Sequence, residues 1–169
     1  MLRLLCAIVM SSTVAVPQHK LSPAQARAVE GQVIEDLVPS EGKLEGRPIN
    51  GRRLIIDEMA ISTAMAAVTD GAPPMGLSIS RGYKVLEKAQ AIKCVRPHTG
   101  CQVTDDGVYV AISDAAFIIS SGELRIHGLV RWTSPSPLLH ELNGFDVDLY
   151  FTHSAVGWRL TRHGYYISG

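Results

Sequence analysis

Apolar and polar side chains alternate from Leu124 to Trp132 and again from Phe145 to Phe151. In the first run Leu124, Ile126, Val130 and Trp132 alternate with Arg125, His127 and Arg131. In the second, Phe145, Val147, Leu149 and Phe151 alternate with Asp146, Asp148 and Tyr150. A period of two belongs to a strand with one packed face and one wet face, as in an antiparallel sheet. The pattern predicts strands over about 90–96, 101–112 (with an extension toward 119), 123–133, 144–152 and 155–167. The short connections at Ser121-Gly122 and Ser154-Ala155 suit hairpins. Prolines keep the longer 134–144 connection out of the sheet.

The first half of the chain reads differently. Ser22-Pro23 is a helix start, with Ser as N-cap and Pro at the first helical position. Ala26, Val29, Val33, Ile34 and Leu37 follow at helical spacing, and Pro39 ends the run. Residues 39–52, rich in glycine and proline, read as a loop. Leu54 to Val68 predicts a second helix, with Leu54, Ile61, Met65 and Val68 on one face. Its start is open to a second reading, in which Arg53 to Ile56 is a short strand and Asp57 caps the helix. Arg81 to Gln90 predicts a weaker helix. Helices followed by a meander imply an α+β fold, N-terminal helices packed on a curved antiparallel sheet.

Cys94 and Cys101 flank Val95-Arg-Pro-His-Thr-Gly100, whose proline and glycine suit a turn. Pairing them places residue 95 opposite 100 and 96 opposite 99, a hairpin closed by a cross-strand disulfide. The alternative is two reduced thiols or a metal site. The chain opens on Arg3 and an apolar run from Leu4 to Met10, with small residues Thr13 and Ala15 beyond, the pattern of a signal peptide cleaved after Ala15. Cleavage would remove Cys6 and leave an even pair, consistent with a disulfide in a periplasmic or secreted protein. The other reading of the leader is a buried strand or helix. The organisation expected is residues 1–15 as signal peptide, 16–22 as linker and 23–169 as a single α+β domain.

This order, and Gly157-Trp-Arg-Leu-Thr-Arg-His-Gly-Tyr-Tyr-Ile-Ser168 as a last strand, resembles the cone-shaped fold of the nuclear transport factor/SnoaL-like (cystatin-like) superfamily over residues 107–168. The resemblance implies a cone-like sheet around the helices. It also implies that, where members act as isomerases or dehydratases, an Asp or His inside the cone transfers protons. No residue here matches such a motif one for one.

Sixteen basic and sixteen acidic residues balance, and no basic run stands out, so nucleic acid is not an expected partner. No segment beyond the leader is apolar enough to suggest an integral membrane span after processing. No phosphate-cradling glycine loop, Gly-x-Ser-x-Gly elbow or Cys-x-x-Cys occurs, and His98 or His140-Glu141 alone completes no metal shell, so no cofactor or metal is expected.

Candidate site residues gather on the polar strand faces. Arg125, His127 and Arg131, then Asp146, Asp148 and Tyr150, then Arg159, Thr161 and His163 would form basic, acidic and basic rows if the strands are neighbours in order. Such rows either set strand register in water or form a docking face for a protein or envelope partner. Asp114 shares parity with Val108, Val110 and Ile112 and so turns toward the core unless a β-bulge at Ser113-Asp114 returns it to water. Asp57 either caps its helix or faces inward. Trp132, Trp158, Tyr165 and Tyr166 read as core and rim packing rather than a ligand cage.

Two functions fit. One is an exported, non-enzymatic binding module of the cell envelope. The other is a carrier of a small apolar ligand, or an isomerase-like or dehydratase-like enzyme, with Asp114 or Asp57 as weak candidates for the acid/base group. An interior filled by Leu54, Met65, Phe117 and Trp158 favours the first. A cavity of roughly 300 Å³ or more with a converging carboxylate favours the second.

Overall fold

The computed structural model describes residues 20–38, 52–71, 76–77, 79–96, 99–133 and 142–166. The leader and most of the two proline-bearing loops, with His98, His140 and Glu141, lie outside these residues.

Helix α1 is Pro23–Leu37. Ser22 Oγ accepts from the Gln25 amide at 3.3 Å, and Gln25 Oε1 accepts from the Ser22 amide at 2.9 Å. This reciprocal cap satisfies two backbone donors at the helix start. The stripe Ala26, Val29, Val33, Ile34 and Leu37 is buried, as its spacing requires.

The expected helix from residue 54 divides. Leu54–Ile56 is strand β1 and Glu58–Ala66 is helix α2, with Asp57 as N-cap between them. The expected 81–90 helix is corrected to strand β2, Tyr83–Val85, and a short helix α3, Lys88–Ala91. Three residues of alternation cannot be told from a helical turn by pattern, and pairing with β1 decides the matter.

The expected 101–112 strand also divides. Ile92–Arg96 (β3) and Thr99–Val103 (β4) form their own two-stranded sheet, with Cys94 opposite Cys101 and Arg96 opposite Thr99. A 3-10 turn at Thr104–Asp106 then leads into β5, Val108–Ile118. Asp105 and Asp106 adopt positive φ in this turn, which breaks the strand. β6 (Glu123–Thr133), β7 (Leu142–Ser154) and β8 (Gly157–Tyr166) continue as an antiparallel meander.

The main sheet runs β2-β1-β5-β6-β7-β8 and is open. It is mixed rather than wholly antiparallel, because β1 lies parallel to both β2 and β5. Among the described residues the fold is α+β, with three α-helices and a large, mostly antiparallel sheet.

The core lies between the helices and one face of this sheet. Phe145, Val147, Leu149 and Phe151 of β7 meet Leu124, Ile126 and Val130 of β6, with α1 and α2 above them. Gly128 is the point of closest approach: a Cβ there would lie 2.8 Å from Leu37 Cδ1, so α1 seats Leu37 where β6 has no side chain. A smaller cluster covers the opposite face near β1 and β5. Ile55, Tyr109 and Ala111 pack there with Ala91 and Val103, which anchors the base of the β3–β4 hairpin.

Candidate functional site

The face of β6, β7 and β8 away from the helices carries a ladder of polar contacts, two of them ion pairs, Arg131–Asp146 and Arg162–Glu123. Strand pairing sets His127 opposite Asp148, and His127 Nδ1 lies 2.8 Å from Asp148 Oδ1. Arg131 Nη2 meets Asp146 Oδ1 at 2.5 Å. The same guanidinium donates to the Phe145 carbonyl at 2.9 Å and the Val130 carbonyl at 3.0 Å. Gly144 permits this posture, because a Cβ there would sit 2.3 Å from the Val130 oxygen and 2.5 Å from Arg131 Cδ. Arg162 Nη2 reaches Glu123 Oε2 at 2.9 Å and stacks over the Tyr150 ring at 3.5 Å, which ties β8 to β6 across β7. The Arg162 guanidinium and the Ser121 hydroxyl hold the Glu123 carboxyl below its usual range.

β8 departs from the expected rows. Tyr150 pairs with Arg162 and Phe151 with Leu160, so Thr161 is one extra residue. A one-residue bulge exchanges the faces of every side chain beyond it. Arg159, opposite Thr152 before the bulge, stays on the polar face, whereas His163, opposite Leu149, turns to the helix side. There it lies within electrostatic reach of Asp36, whose carboxyl burial holds above its usual range while His163 works against the shift. Arg162, Gly164 and Tyr166 take the places expected of Thr161 and His163. Tyr166 donates to Asp148 Oδ2 at 3.2 Å, and that carboxylate holds the Tyr166 phenol above its usual range.

Asp114 follows the bulge reading. The β5–β6 register shifts between Ile112 and Asp114. The Asp114 side chain, 53% exposed, pairs with Arg125 Nη2 at 2.5 Å. It sits at one end of an open groove of about 430 Å³ between α2 and β5, lined by Ala60, Thr63, Ala64, Ala67, Ile112 and Ser113.

Asp57 is 4% exposed and fully engaged. Oδ1 accepts from the Ala60 amide at 2.9 Å, and Oδ2 accepts from the Lys88 amide and the Tyr109 hydroxyl, each at 2.8 Å. It joins two helix starts and β5. Burial, and then the Asp57 carboxylate, hold the Tyr109 phenol above its usual range.

Trp132 and Trp158 are buried, and Tyr165 and Tyr166 lie at the rim. Cys94 and Cys101 form a disulfide. Among the described residues no group of three or more His, Cys, Asp or Glu side chains is placed to hold a metal ion. Among the same residues no helix is long and apolar enough to cross a membrane.

Glu30 escaped the sequence reading. It is 1% exposed on α1, and burial pushes its carboxyl up to about 7. The signal was present: Glu30 stands four residues after Ala26 and four before Ile34, inside the buried stripe.

No protein-family model, curated protein or solved structure matches this chain significantly.

Proposed function

We propose that this chain is an exported, non-enzymatic binding module of the cell envelope that docks a protein or envelope partner through the polar face of β6, β7 and β8. The fold assigned in this reading is the cone-like form of the nuclear transport factor/SnoaL-like (cystatin-like) superfamily. Helices on one face of the β5–β8 meander and the Gly157-Trp158-Arg159 start of β8 support that assignment.

The observation that carries the reading is the ladder itself. The Arg131–Asp146 and Arg162–Glu123 ion pairs and the His127–Asp148 contact cross β6, β7 and β8 on one face, with Tyr150 of β7 and Arg159, Arg162 and Tyr166 of β8 on the same face. Arranged charges give a partner orientation and on-rate more than raw affinity. The filled interior favours this outer face over a site inside the core: Leu54, Met65 and Trp158 are buried in the core and Phe117 packs against it. The Cys94–Cys101 disulfide supports an oxidising, extracytoplasmic setting.

The test is crosslinking of the exported protein in intact envelope, with Arg159→Glu/Arg162→Glu beside the wild type. The reading expects one crosslinked species, at least tenfold weaker in the double variant at equal folded protein. Equal crosslinking by both proteins would move the docking surface elsewhere.

One observation favours a second reading, a carrier of a small apolar ligand or an enzyme acting on one. The α2–β5 groove is apolar and carries the Asp114 carboxylate. Saturable binding of an apolar fluorescent probe, lost in Ala64→Trp, would support that reading.

A further inference from the structure

β8 ends the main sheet. Among the described residues no strand pairs with its outer side, so a row of backbone amides and carbonyls there has no strand partner. It is the long edge, with 10 residues against 3 in β2 at the opposite edge. Edge strands are kept from pairing by shortness, proline, lysine or a bulge. β8 holds no proline and no lysine, and its bulge at Thr161 guards only the first half. Beyond the bulge lie Arg162-His163-Gly164-Tyr165-Tyr166, in which every residue but Gly164 is exposed. Tyr165 and Tyr166, on opposite faces of the strand, stand 45% and 53% exposed.

Two copies of this segment complement each other in one register. A two-fold axis normal to the sheet sets β8 antiparallel to itself and keeps like faces together. Centred on Gly164, it places Arg162 opposite the second copy's Tyr166 on the ladder face, and His163 opposite the second copy's Tyr165 on the helix face. Both pairings repeat chemistry that this part of the sheet already uses. Arg162 stacks over the Tyr150 ring at 3.5 Å, and His163 meets Tyr165 edge-on at 5.0 Å. Neighbouring registers fit less well. Centring on Arg162 or His163 opposes two guanidinium or two imidazole groups and draws the Thr161 bulge into the ladder. Centring on Tyr165 or Tyr166 leaves most of the segment unpaired. Gly164 suits the axis, because no side chains collide where the two copies come closest.

We propose that β8 pairs with β8 of a second copy about Gly164, joining two six-stranded sheets edge to edge. The ladder face then runs unbroken across both copies. The pairing is independent of what docks on that face.

Sedimentation equilibrium of the oxidised protein from about 5 to 500 μM tests the pairing, since so small an interface associates weakly. Wild type should pass from monomer to dimer across this range. Gly164→Lys has room in the monomer, where a Cβ meets only Tyr166 Oη at 4.0 Å, but it sets two ammonium groups together at the axis. Its dimer should be weaker by about tenfold or more, with no fall in the melting temperature of dilute protein. In a Cys6→Ser background, Gly164→Cys should oxidise to a covalent dimer, because directly opposed residues bring their Cα atoms to about 4.5–5.5 Å. Arg159→Cys, on the other side of the bulge, should not. Wild type that stays monomeric at every concentration would overturn the proposal and leave the edge to a strand of another protein. A dimer that Gly164→Lys leaves intact would overturn it equally, since the copies would then meet elsewhere.

Discussion

Tyr109 donates its hydroxyl to the Asp57 carboxylate at 2.8 Å, inside the junction where β1, α2, α3 and β5 meet. This contact assigns Asp57 a structural role. Its oxygens already accept from two helix starts and a buried phenol, which fixes where β5 lies against both short helices. Truncation in Asp57→Ala leaves three donors without their acceptor, at a cost of about 3 kcal/mol, and Tyr109→Phe is expected to cost about 1–2 kcal/mol. Urea unfolding checks both. A neutral Asp57→Ala would show that the junction is held by packing alone.

Asp114 is expected to behave oppositely. Its pair with Arg125 is largely in water, and exposed pairs contribute about 0–1 kcal/mol. Asp114→Asn should leave the melting temperature within a few degrees of wild type. A loss near that of Asp57→Ala would mean the carboxylate is buried in solution and the bulge is absent.

The Gly144→Ala variant tests the Arg131–Asp146 end of the ladder. The added methyl would overlap the Val130 carbonyl and the Arg131 side chain, so either β7 shifts or Arg131 leaves Asp146. The expected cost is about 2–3 kcal/mol. Wild-type stability with the Arg131–Asp146 pair intact in a crystal structure would contradict the packing described.

Reduction of Cys94–Cys101 should act locally. The cross-link closes a short loop in a separate two-stranded sheet, so its loss is expected to cost about 2–3 kcal/mol. Val103 donates its amide to Thr133 Oγ1 at 2.8 Å and keeps the hairpin base attached. Hydrogen exchange after reduction should therefore rise in β3 and β4 before it rises in β6 and β7. Uniform loss of protection would make the hairpin integral to the main core.

What the sequence made legible follows from where patterns are redundant. α1 carries a cap, a proline and a five-residue stripe that agree, and all three appear in the fold. β6 and β7 alternate long enough to fix their faces, while their pairing in the structure sets Arg125 opposite Tyr150 and Arg131 opposite Gly144, a register that the charge rows did not specify. The β5 bulge was readable because Asp114 broke an apolar row. The β8 bulge was not, because Thr161 sits where both neighbouring faces are wet and an extra polar residue disturbs no pattern. That single residue moved His163 off the expected face. β2 and α3 are too short to show a period, and the Asp105-Asp106-Gly107 turn lay inside what read as one strand. Glu30 was hidden by its charge, since the stripe rule counts apolar residues and passes over a carboxyl at a core position.

The most direct measurement is the mass of the protein recovered from the outside of the cells that make it, analysed without reductant and by N-terminal sequencing. The account expects a chain beginning near Val16 and a peptide in which Cys94 and Cys101 are joined. An intact Met1 in the cytosol, with both thiols free, would contradict it.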